Sequence, residues 1–125
     1  MDVIEEQFAH LQSRYPEATR TTNPDGITTI TIPRFPLPDG WNKQETTVVF
    51  ALPLGYPYAK PDCFWADPDL RLSTGVRPAN SDVKNAPGVP SSMLWFSYHA
   101  STWNANTDSI ITYTNVIRAR LADRK

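Results

Sequence analysis

The chain opens on a helical pattern. In "MDVIEEQFAHLQSRYP", Ile4, Phe8, Leu11 and Tyr15 recur on one helix face, Glu5, Glu6 and Gln12 fall off it, and Pro16 ends the run. The period then changes to two. "GITTITIP" alternates Ile27, Ile30 and Ile32 with threonines, which predicts a strand closed by Pro33. "RFPLPDGW" carries turn chemistry, because Pro38 presets φ and Gly40 tolerates φ > 0, and it leads into a second strand in "QETTVVFALP". A third, short and aromatic strand is expected in "CFWADP", between Pro61 and Pro68. From about Leu70 to Met93 the period is lost in a stretch rich in Gly, Pro, Asn and Ser, which predicts a long loop or flap. An irregular aromatic patch, "LWFSYHASTW", follows. The last segment, "NTDSIITYTNVIRARLADRK", predicts a helix capped by Asn106 or Thr107, with Asp108 near its positive end. Ile110, Tyr113, Ile117 and Leu121 form its core face, and Arg118, Arg120, Arg124 and Lys125 lie toward its negative end.

This order of helix, antiparallel β-meander, long flap loop and C-terminal helix predicts an α+β fold with helices packed on a sheet. No linker or repeat divides the chain, so residues 1–125 are expected to form one domain. Twelve prolines punctuate turns and strand edges without clustering as in a disordered tract. Lys and Arg total 12 against 13 Asp and Glu, so no basic surface argues for nucleic acid. The longest apolar run, "VVFALPLG", is too short to span a bilayer and contains a proline, so no membrane role is expected. A single cysteine and no basic, apolar leader point to the reducing cytoplasm. Two histidines and one cysteine lack zinc-ligand spacing, and the glycines form neither a phosphate loop nor a dinucleotide fingerprint, so no metal and no cofactor are expected.

The segment "YPYAKPDCFW" changes the picture. A strand, a Tyr-Pro-x-x-x-Pro element, a long irregular segment, and a tryptophan shortly before a helix resemble the ubiquitin-conjugating (UBC/RWD-like) superfamily. Tyr56, Pro57 and Pro61 match the element and Trp103 matches the tryptophan. "LRLSTG", "WFSYH" and "WNANTDSI" further resemble the bacterial branch called prokaryotic family E. The resemblance implies a UBC-like fold and a place in bacterial ubiquitin-like conjugation operons, beside activating enzymes, JAB-type peptidases and ubiquitin-like proteins. Antiphage defence is a further implication. Independently of any family, Pro57 and Pro61 fix φ and remove two donors, while Tyr56 and Tyr58 supply covering area, which makes a rigid lead-in to a strand.

The resemblance also implies a thioester cysteine a short way before Trp103, because a thiolate both attacks and leaves readily. The matching position falls near Trp95, and "SSMLWFSYHASTW" contains no cysteine. The family's His-Pro-Asn element is missing as well. The nearest string is "RPAN", Arg77 to Asn80, at a different spacing. Cys63 falls where the resemblance places an inward apolar strand residue, and a free cysteine often serves as a small buried hydrophobe.

Catalytic candidates are therefore His99, Ser97 and Cys63. Ser97 and His99 match the branch's serine two before a histidine. His99 is read either as a general base for Ser97, Ser101 or a substrate hydroxyl, or as a ring bonded to buried backbone carbonyls. Only Asp82 or Asp108 suggests itself as an orienting carboxylate. Partner binding is expected at Trp95, Phe96, Tyr98 and Trp103, at the flap from Gly75 to Ser92, and at the first helix. The expected function is a ubiquitin-conjugating-like protein without the usual thioester cysteine. It would be a scaffold that binds a ubiquitin-like protein, an activating enzyme or a true conjugating enzyme. The alternative is an atypical modifier-transfer enzyme using Cys63 or a Ser/His99 pair.

Overall fold

The computed structural model describes residues 2–125. Helix α1 spans Val3–Arg14, and Asp2 caps it by accepting from the Glu5 amide at 2.7 Å. Phe8 and Leu11 are its buried residues. Six strands follow: β1 (Thr19–Thr22), β2 (Thr28–Pro36), β3 (Glu45–Leu52), β4 (Phe64–Ala66), β5 (Ser81–Asn85) and β6 (Ser92–Phe96). Helix α2, Ile110–Ala122, closes the fold. The strands form one antiparallel sheet in the order β1-β2-β3-β4-β6-β5. The expected α+β, UBC-like architecture is thus observed. Among the described residues, no helix is long and apolar enough to cross a membrane.

Alternation along the strands divides the sheet into two faces. Val48, Phe50 and Leu52 of β3 join Ile30, Ile32, Phe64 and Phe96 in a core completed by Phe8 and Leu11 of α1 and by Ile110, Tyr113, Ile117 and Leu121 of α2. Phe64 and Phe96 stack there with ring centroids 4.7 Å apart. Val49 points the other way, into a small cluster with Ala86 and Met93.

The structure corrects the sequence expectations at four places. β1 was not anticipated, because all four residues of "TRTT" are exposed and leave no alternation to read. β2 does not stop at Pro33. A bulge between Ile32 and Phe35, with Arg34 at φ 56°, carries the strand past the proline and returns Phe35 to the core. The expected flap contains β5, an edge strand whose Asp82 to Asn85 are exposed, paired with β6 from the aromatic patch. Helix α2 is capped by neither Asn106 nor Thr107. Ser109 caps it in a reciprocal box with Thr112, while Asp108 accepts from the Asn104 amide in the preceding turn.

Candidate functional site

The Tyr-Pro-x-x-x-Pro lead-in is a brace between the two helices. The Tyr56 ring lies 6.0 Å from that of Trp103, whose indole N–H donates to the Pro57 carbonyl at 2.8 Å. The Tyr56 hydroxyl bonds Gln7 Oε1, which also accepts from the Ile110 amide at 3.0 Å. One side chain of α1 thereby holds both the lead-in and the first turn of α2. Burial, reinforced by the Asp108 charge, pushes the Tyr56 phenol above its ordinary pKa. Pro61 is buried, which fixes the point where the chain enters β4.

Cys63 sits at that entrance, immediately before β4, with 7% of its surface exposed and φ 61°. Its amide donates to the Tyr98 carbonyl at 3.0 Å, and its carbonyl accepts from the Tyr113 hydroxyl at 2.6 Å. These bonds tie it to the segment after β6 and to α2. Burial pushes the thiol above its ordinary pKa, outweighing the Tyr98 backbone contact, the Trp95 indole and the Lys84 charge, which act the other way.

His99 takes neither of its anticipated carboxylate partners, and its exposed ring is not bonded to buried backbone carbonyls as the sequence also suggested. Its Nδ1 pairs with Asp62 Oδ1, with both side chains more than half exposed. Asp82 instead bonds the Val83 amide, and Asp108 serves the turn before α2. Ligand atoms of Asp62, Cys63 and His99 all lie within 4.8 Å of one another. Asp62 is the residue that sequence reasoning missed. It is 37 positions from His99 in the chain, and only the β4–β6 register, Phe64 opposite Phe96, brings the two together.

The other candidates spread around this centre. The Ser97 amide donates to the Asn80 carbonyl at 2.8 Å. His99 and Ser101 line a groove of about 350 Å³ with Tyr98, Thr102, Asn115 and Val116. Trp95 is half-buried on β6, with Lys84 Nζ 3.9 Å from its ring centroid. Phe96 is wholly buried, because the pleat turns it onto Phe64, so it offers no surface to a partner. Tyr98 and Trp103 pack half-buried against the core.

Residues 5–124 match prokaryotic E2 family E. The chain belongs to that family. No curated protein and no solved structure matches it. Trp95, near which the sequence resemblance placed the thioester position, has its backbone paired to Trp65 on one side and Asp82 on the other.

Proposed function

We propose that this family E domain is a noncatalytic binding subunit of a bacterial ubiquitin-like conjugation system. In this reading it holds a ubiquitin-like protein, an activating enzyme or a conjugating enzyme, and does not itself carry the modifier. The observation that carries the proposal is the burial of Cys63. A modifier's C-terminal tail must reach the sulfur to form a thioester, and the chain's single cysteine lies beneath the sheet entrance with its thiol favoured over the thiolate.

The groove lined by His99, Ser101 and Thr102 is the docking face in this proposal. It is concave, partly apolar, and floored by α2 through Asn115 and Val116. Thr102 is exposed at its rim, so Thr102→Arg obstructs the groove without disturbing the core. Titration calorimetry against the ubiquitin-like protein and the activating enzyme should give a complex weakened about tenfold or more by Thr102→Arg. Unchanged affinity would remove the groove from the account.

One observation favours a second reading, modifier transfer with a noncanonical nucleophile. The Asp62 carboxylate beside His99 Nδ1 is the arrangement that orients a general base. In that case the base would serve Cys63 or a nearby serine, and a covalent adduct would form.

A further inference from the structure

We propose that Asp62, Cys63 and His99 form a binding site for a thiophilic divalent metal ion of the zinc class. Three different donors converge: a carboxylate oxygen, a thiol sulfur and an imidazole nitrogen, all within 4.8 Å of one another. The two donor segments are clamped together. Asp62 and Cys63 enter β4, His99 leaves β6, these strands are antiparallel neighbours, and the Cys63 amide bonds the Tyr98 carbonyl at 3.0 Å.

Tetrahedral zinc holds such donors at about 2.0–2.3 Å, which places them roughly 3.4–3.6 Å from one another. Asp62 and His99 already touch through a hydrogen bond, so the ion takes the place of that contact and these two donors part. The donors farther from each other, at most 4.8 Å apart, close by about an ångström. Rotation of the exposed Asp62 and His99 side chains supplies both movements, while Cys63 stays fixed by its backbone bonds. Cys63 is a free thiol on a buried residue.

The donor set selects the ion. Thiolate and imidazole suit zinc, cobalt, nickel or copper, and they discriminate against calcium and magnesium, which take oxygen ligands. On binding, the Cys63 S–H bond breaks, its proton leaves to solvent, and the sulfur's electron pair goes to the metal. The resulting thiolate and the Asp62 carboxylate together balance a dication. Lys84, whose charge reaches the sulfur, opposes it. Because Asp62 and His99 face solvent, a fourth coordination position remains open on the solvent side, where a water or a partner's side chain fits. The site thus uses a cysteine that the binding-subunit reading leaves idle, and it stands independently of which partner the domain holds.

Cobalt(II), titrated into the metal-free chain, is the direct probe. One equivalent should bind with tetrahedral visible bands and a thiolate-to-cobalt charge-transfer band, and zinc should displace it. Cys63→Ser should abolish the charge-transfer band. Because Asp62 and His99 are exposed and outside the core, Asp62→Asn and His99→Ala should fold normally and should each weaken binding by at least about tenfold. Binding without a thiolate band would overturn the proposal. So would undiminished affinity in either exposed variant, and so would no binding by the intact chain.

Discussion

The Tyr113 hydroxyl, on the buried face of α2, donates to the Cys63 carbonyl across 2.6 Å. The last helix therefore holds the backbone of the single cysteine as well as the sheet. Tyr113→Phe keeps the ring, which sits 5.1 Å from Phe50, and strands a buried carbonyl. It should cost about 1–3 kcal/mol in urea denaturation and speed thiol labelling of Cys63 in the native state. A variant as stable as the wild type would mean that the bond contributes nothing net.

Gln7 serves two donors from one oxygen, the Tyr56 hydroxyl and the Ile110 amide, and the second is among the unpaired N–H groups at the start of α2. Gln7→Ala leaves both without that partner. A loss of about 1–3 kcal/mol is expected, with faster amide exchange concentrated at the beginning of α2. Exchange that rises uniformly across the chain would argue against the brace.

The Cys63 thiol makes stability pH-dependent in a definite direction. Its folded pKa is raised by burial, so the unfolded chain loses the proton first, near the ordinary value of 9.0. Below that value the contribution is fully present, and it is lost as pH climbs through the folded pKa. Tyr56 and Tyr113, also raised by burial, act in the same sense. Comparing the wild type with Cys63→Ala isolates the cysteine. The wild-type urea midpoint should fall relative to the variant's above about pH 9 and run parallel to it below. Parallel curves throughout would place the thiol in a solvated setting.

What the sequence disclosed followed from periodicity, residue propensity and one motif. α1, most of β2 and the core face of α2 had apolar positions at a recognisable spacing, β3 was legible as a β-rich run and β4 as an aromatic segment between prolines, and Tyr56, Pro57, Pro61 and Trp103 pointed to the family that residues 5–124 match. The misses have physical causes. β1 and β5 lie at the two sheet edges and are mostly solvated, so neither carried a hydrophobic signal. Phe96 looked like a surface anchor because it sits in an aromatic run with Trp95 and Tyr98, whose pattern does not say which ring the pleat turns inward. The pairing of Asp62 with His99 depends on strand register, which no local pattern encodes.

The decisive question is whether this protein only binds its partners or also carries the modifier. The most direct test mixes it with an activating enzyme, ATP and a ubiquitin-like protein of the same bacterial system and takes the intact mass, with Cys63→Ser and His99→Ala beside the wild type. A binding subunit should keep an unchanged mass and form a noncovalent complex. A wild-type adduct that is cleaved by hydroxylamine and lost in either variant would contradict the binding reading and would assign the nucleophile or its base.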